Sequence, residues 1–301
     1  MDEEVYCNPG VDKAALKTLA ARSDRKGLLQ LLGHAGLLIA TGGLVLLTEG
    51  GPWVFPALLG HGIALVFLFS PLHETIHRTA FRSRGLNDVL ARLCGAALLL
   101  PADYFRAFHF QHHRFTQDLQ RDPELAGPAL DSRGAYLFHV SGLPYWRERV
   151  ATLWRHAIGR VTEDFIAPRQ RALIVGEARR HLAAYGLLAG LSLASGSDLL
   201  LLLWVFPVLL GQPALRLFLL AEHTGCPRVS DMLANSRTTL TNRALQMLCW
   251  NMNRHSAHHA YPATPFHALP AADDLLASRV KVRSRGYGAV QREIWQGLAK
   301  S

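Results

Sequence analysis

Two long windows without a basic residue constrain this chain more than any other feature. No Lys or Arg occurs from Gly27 to His77, and none from His181 to Leu215, although the 301 residues include 32 of them. The formal net charge of +9 could suit nucleic acid, an anionic membrane surface or an acidic partner. Segregation this sharp argues against nucleic acid and follows the positive-inside rule of membrane proteins. Only 18% of residues are charged, against roughly 25% in ordinary soluble domains. The alternative is a soluble helical protein with very apolar core helices, in which uncharged windows of this length are rare.

Within the first window, 28–47 is an apolar run containing His34 and Thr41 but no charge. About 20 residues at about 1.5 Å each match a bilayer's hydrocarbon core. Glu49-Gly50-Gly51-Pro52 reads as a turn, and 53–72 as the return, with Trp53 at the interface. The second hairpin is 182–194, a turn at 195–198, then 199–220, where Pro207 and Pro213 would kink the last arm. The polar start, 1–26, does not read as a cleaved signal peptide. Residues 86–100 carry Asp88 and Arg92 and read as an interfacial or buried helix, and 146–161 as an amphipathic surface stretch. The expectation is one all-α membrane domain over 1–301. It has four transmembrane helices in two hairpins, interfacial helices, and a cytosolic helical cap. Cys7, Cys94, Cys226 and Cys249 are far apart, form no CxxC pair, and read as reduced thiols.

Fifteen histidines are the other unusual feature, and nine fall into a pattern. The first box is His73-Glu-Thr-Ile-His77, at the cytoplasmic end of the second span. The second is His109-Phe-Gln-His112-His113 and the third His255-Ser-Ala-His258-His259; His223 stands just past the fourth span. On a helix, positions i, i+3 and i+4 share a face, so the rings of one box can reach one metal centre. All nine lie on one side of the expected membrane. Nine imidazoles exceed what one ion takes, so two ions of five or six coordination would use them; imidazole suits iron, copper, zinc and nickel.

His73-Glu74-Thr75-Ile76-His77 also matches HExxH, in which two histidines hold zinc and the glutamate activates water. A membrane-embedded zinc protease is therefore the second reading, and it leaves both HxxHH boxes unexplained. A metal transporter or storage protein is the third. Outside the protease reading, Glu74 orients an imidazole, binds water, or is merely a polar helix residue.

These boxes, with Ala221-Glu-His223 and the stretch from Trp250-Asn-Met-Asn-Arg-His255 to Pro262-Ala-Thr-Pro-Phe-His-Ala-Leu-Pro270, resemble the membrane fatty acid desaturase and hydroxylase superfamily, bacterial branch. The resemblance runs from about residue 28 to 270. It implies a di-iron site with His73, His77, His109, His112, His113, His223, His255, His258 and His259 as ligands, Asn251 holding a water near the metal, and no catalytic residue beyond the metal centre. It implies O2-dependent oxidation of C–H bonds in an acyl chain or other lipid-like substrate. Desaturation comes first and hydroxylation close behind, with carotenoid and small-molecule hydroxylases as further options. The HxxxH form of the first box and the lack of a fused electron-transfer domain depart from animal-type acyl-CoA enzymes. The implied setting is a bacterial inner membrane, with the site facing the cytoplasm.

The chain carries no CxxC cluster motif and no GxGxxG fingerprint, so electrons would come from a separate ferredoxin, rubredoxin or cytochrome. Arg78, Arg82, Arg84, Arg106, Arg114 and Arg121 could steer such an acidic donor, or bind lipid headgroups. Tyr104, Phe105, Phe108 and Trp250 flank the boxes and either line a substrate tunnel or pack, with packing favoured. His34 and His61, inside spans, would hydrogen-bond between helices. His267 reads as packing. Asp122 caps a helix or supports a ligand histidine, with capping favoured.

Overall fold

The computed structural model describes residues 13–298, so Cys7 lies outside the described residues. A short helix α1 (Lys13–Leu19) precedes α2 (Asp24–Leu47). Ser23 starts α2 by accepting from the Lys26 N–H, and Asp24 sits in the first turn, where negative charge suits the helix dipole. The chain turns through Gly50, whose φ of 80° is left-handed, and returns as α3 (Val54–Val66) and α4 (Phe69–Ile76). The return continues past the expected limit at residue 72, and this carries His73 to the site on the helix end.

Among the described residues, three stretches are long and apolar enough to cross a membrane: Asp24–Leu47, Val54–Ile76 and Leu201–His223. The last joins a π-helical segment, Leu201–Val205, to α10 (Phe206–His223). The expected third arm, 182–194, is the second half of a 28-residue helix, α9 (Pro168–Ser195). The first half of α9 carries Arg169, Arg171, Glu177, Arg179 and Arg180, so the helix as a whole is not apolar. Its second half exposes Leu187, Leu188, Leu191 and Leu193, the kind of surface lipid would cover.

α3 and α10 cross at glycines. A Cβ on Gly62 would lie 2.1 Å from the Pro207 carbonyl oxygen, and one on Gly211 2.2 Å from that of Gly62. Small residues let membrane helices approach backbone to backbone. Polar bonds reinforce the bundle, as expected for histidines inside apolar helices. His34 Nε2 lies 2.9 Å from the Ala64 carbonyl oxygen. His61 joins Thr41 Oγ1 on α2 (2.9 Å) to the Leu203 carbonyl oxygen (3.1 Å).

Next come α5 (Arg84–Ala97) and α6 (Ala102–Phe115), bent by 97°. Leu99 (φ 54°) and Pro101 make the corner. The segment expected as an interfacial or buried helix is thus α5 plus this corner, with Ala91, Cys94, Leu98 and Leu100 in a core shared with Leu72, Ile76 and Phe105. α7 (Arg133–Val140) and α8 (Leu143–Ala157) follow. The amphipathic stretch is α8, which buries Arg149, Thr152, Leu153 and His156 on one face. After α10, strand β1 (Thr238–Leu240) pairs in parallel with β2 (Arg283–Arg285). Between them lie α11 (Arg243–Leu248), α12 (His255–Ala260) and α13 (Leu269–Leu275), and α14 (Tyr287–Gly297) closes the described chain.

Candidate metal centre

Four elements deliver the nine histidines. α4 and its C-cap bring His73 and His77; α6 brings His109, His112 and His113; the end of α10 brings His223; α12 brings His255, His258 and His259. The rings gather into two groups. His73, His77, His109, His113 and His258 form one; His112, His223, His255 and His259 form the other. Within each group the potential ligand atoms lie within 4.8 Å of one another, and each group could hold a metal ion.

The division runs through both HxxHH boxes. On α6 the i and i+4 rings, His109 and His113, serve the five-histidine group, while the i+3 ring, His112, serves the other. On α12 the roles reverse: His255 and His259 serve the four-histidine group and His258 crosses over. The groups meet where His113 stacks on His259, with centroids 4.2 Å apart and planes 13° apart.

Box three is rigidly seated. Trp250 (φ 51°) and Asn251 (φ 59°) are both left-handed just before it. Conformations of this kind persist only where surrounding structure enforces them. Asn253 exchanges two hydrogen bonds with the Thr239 backbone on β1, and Ser256 Oγ donates to the Ser236 carbonyl.

The donor set fits a cation. His112 Nδ1 lies 2.9 Å from Asp122 Oδ1, and His223 Nδ1 lies 3.0 Å from the Asn235 carbonyl oxygen. Both acceptors require an N–H, so in the neutral rings both Nε2 atoms are lone pairs. Those Nε2 atoms face each other at 3.2 Å, and His255 Nε2 lies 3.0 Å from that of His223. Lone pairs in such contact repel unless a proton or a metal ion stands between them. In the other group His113 Nε2 lies 2.9 Å from His109 Nε2 and 3.0 Å from His258 Nε2. Nitrogens bound at about 2.1 Å and at right angles on one ion would be about 3 Å apart. Both ring nitrogens of His73, and Nε2 of His77 and of His259, are buried without any hydrogen-bond partner among the described residues. Burial, and then the neighbouring imidazoles, hold His255, His258 and His259 well below the ordinary histidine range, so these rings are neutral, as ligation requires.

Asp122 does both things expected of it. It caps the turn Pro123–Leu125 by accepting from the Glu124 N–H, and it holds His112. Sequence reasoning missed two further supports: Thr116 Oγ1 lies 3.2 Å from His259 Nδ1, and the Asn235 carbonyl holds His223. It also missed Glu222, whose Oε1 comes within 3.3 Å of His255 Nδ1 without a hydrogen bond and which had a visible signal, an acid beside a histidine at the end of an apolar run.

Glu74 and Asn251 make no hydrogen bond to an imidazole. The Glu74 carboxylate accepts from Thr79 Oγ1 (2.8 Å) and the Phe266 N–H (3.2 Å), tying box one to the segment after box three. Asn251 Nδ2 donates to the Phe266 carbonyl at 3.1 Å. Tyr104, Phe105 and Trp250 are core residues, and Phe108 packs against the same core as Phe105. Phe105 also approaches His109, at 5.4 Å between centroids. His267 lies against Phe266. The basic face is less free than its sequence suggests: Arg78, Arg84 and Arg106 converge on the single carboxylate of Asp88.

Apolar helices ending at a nest of nine imidazoles, seven of them buried and two (His77 and His223) half-buried, define a histidine-box protein of the membrane. Residues 50–290 match the fatty acid desaturase family, and the chain belongs to it. It is 24% identical over 226 residues to beta-carotene 4-ketolase 3 of Haematococcus lacustris, a match covering 69% of this chain and 59% of that relative. The chain thus spans less than two thirds of the curated relative it matches. The matched residues include all three histidine boxes and His223, the HExxH sequence at 73–77 among them.

Proposed function

We propose that the nine histidines bind two iron ions and that the protein uses dioxygen to oxidise an unactivated C–H bond of an acyl chain or similar lipid. The observation that carries this reading is the convergence of nine rings into two groups, in each of which the potential ligand atoms lie within 4.8 Å of one another, with the Nε2 atoms of His112 and His223 facing each other at 3.2 Å. Two bound irons would supply the redox chemistry, the reduction of dioxygen coupled to removal of hydrogen from carbon. The overall reaction fixes what the surroundings must deliver. Desaturation takes two hydrogens from the substrate, two electrons and two protons from outside, and turns dioxygen into two waters. Hydroxylation has the same external demand but leaves one oxygen atom in the product.

The chain's own residues divide this work. Asp122, the Asn235 carbonyl and Thr116 orient His112, His223 and His259. Burial excludes water, which favours reaction with carbon over leakage. Phe69 and Phe105 lie beside His73 and His109, so the five-histidine group has an apolar flank for a hydrocarbon arriving from the bilayer. The four-histidine group has a polar flank. Thr116 and Gln117 also line a surface cleft of about 280 Å³ that includes Arg114, Arg121 and Arg228. This cleft is our candidate for docking an acidic ferredoxin, rubredoxin or cytochrome, ahead of the arginines gathered on Asp88. The membrane would be a bacterial inner membrane, with spans at about 28–47, 53–72, 182–194 and 199–220 and the site on the cytoplasmic face.

The match to a beta-carotene 4-ketolase favours a second reading of the substrate, a carotenoid. Lipid and metabolite profiles of cells with and without the protein, in oxygen, separate the readings. New double bonds in acyl chains support desaturation, an added oxygen in a lipid supports hydroxylation, and an oxygenated carotenoid supports the second substrate. Profiles that are identical, or that change equally with the His112→Ala variant, contradict the proposal.

A further inference from the structure

The helix carrying box two starts without a cap of its own. Pro101 occupies the N-cap position of α6 and has no side-chain acceptor. The first N–H groups of a helix have no partner within it, and a buried helix start must find one elsewhere. Here the Ala102 and Asp103 N–H groups donate to the two carboxylate oxygens of Glu177, at 2.9 and 3.0 Å. Glu177 stands on α9, about 75 residues along the chain, and is only 2% exposed. A carboxylate is the strongest acceptor a side chain offers at the positive end of a helix dipole.

We infer that Glu177 is a positioning residue for the metal centre, fixing how far α6 advances along its axis and how it is rotated. α6 feeds both groups, His109 and His113 to one and His112 to the other. It follows a 97° corner, which leaves its start free to slide or fray unless something outside the corner holds it. The ladder of an α-helix transmits any such shift from Ala102 to His113, about 16 Å away. One side chain on α9 therefore sets the register of three imidazoles at once, and with it the spacing between the two metal positions.

This inference rests on the nine histidines binding metal, and the test separates the two ideas. The full-length wild type, Glu177→Ala and the double variant Glu177→Ala/Pro101→Asp are purified in detergent without metal and titrated with Co2+ alone, reading the ligand-field absorption bands. Aspartate at 101 would supply from within the chain the cap that Glu177 supplies from α9. The wild type should take up two Co2+ per chain. Glu177→Ala should show shifted bands and about tenfold weaker uptake, the scale on which outer residues act on a metal site, with unchanged helical content by circular dichroism. The double variant should recover wild-type bands and affinity. If Glu177→Ala fails to fold, recovery of folding and bands in the double variant carries the same weight. Wild-type behaviour in Glu177→Ala overturns the inference, and so does a folded double variant whose bands remain altered. A wild type that takes up no Co2+ overturns the metal reading itself.

Discussion

The two histidine groups are built from the same parts and supported in opposite ways. In the four-histidine group, three outward nitrogens meet protein acceptors: Asp122 for His112, the Asn235 carbonyl for His223 and Thr116 for His259, while Nδ1 of His255 has the Glu222 carboxyl 3.3 Å away without a hydrogen bond. In the five-histidine group, Nδ1 of His73, of His109 and of His258 is buried with no hydrogen-bond partner among the described residues. Carboxylates behind an imidazole raise its basicity and fix its tautomer. The difference teaches that ring number and ring support are exchanged: one group gains a fifth ring, the other gains hydrogen-bond acceptors behind three of its four rings. The four-histidine group adjoins the arginine-lined cleft through Thr116, and the five-histidine group adjoins phenylalanines.

Removing one ring from each group breaks the comparison most severely. His112→Ala should cost the four-histidine position its metal and His258→Ala the five-histidine position. Each should retain about one ion per chain and lose turnover by at least about a hundredfold, beyond the range of outer-residue effects. Metal analysis with product assay checks both. Equal loss of both ions in both variants would mean that the groups fill as one cluster.

The next effect sharpens the asymmetry. Asp122→Asn keeps the size of the side chain but replaces a charged acceptor with a neutral amide. Affinity at the four-histidine position should fall about 10- to 100-fold while the other position is unchanged, read from two-step Co2+ titration. Equal weakening of both steps would show that Asp122 acts on the fold rather than on His112.

Acid should unmask the same rings when no metal is bound. His255, His258 and His259 are held well below the ordinary range in the folded protein. The unfolded chain therefore takes up protons first, near pH 6.5, and stability falls as pH drops below that value. Metal-loaded protein should resist this fall. Thermal unfolding between about pH 7.5 and 5, with and without Co2+, checks the sign; parallel curves would contradict it.

The smallest effect is a control away from both groups. Burial alone would raise the Glu163 carboxyl, but hydrogen bonds from His156 and Arg155 outweigh it and bring it down to about 2. Its contribution is present above the unfolded value near 4.5 and is lost as pH falls toward 2. Glu163→Gln should cost about 2 kcal/mol at neutral pH, allowing for the solvent that still reaches the pair. Both metal steps should remain as in the wild type. A change in either step would tie this remote ion pair to the centre.

Much of this was legible in the sequence because the strongest signals are local. Uncharged windows mark apolar helices, and i, i+3, i+4 spacing puts rings on one face; neither needs tertiary information. The spacing put the three rings of each HxxHH box on one face, but not the division of each box between two groups, which depends on where the other helices lie. What stayed hidden depends on contacts distant in sequence. Asn235 contributes a backbone carbonyl, which no residue type advertises. Glu177 was one more acid in a polar half-helix, and its role exists only because α9 lies across the start of α6. The arginines of the basic face were visible, but not their convergence on Asp88. The length of α9 was obscured because its polar half breaks the apolar pattern by which spans are recognised.

The most direct test is the metal content of the purified full-length protein, measured beside His112→Ala and His258→Ala prepared in the same way. The account predicts two irons per chain in the wild type and about one in each variant. A wild type that holds no redox-active metal, or a single zinc that both variants retain, would contradict it.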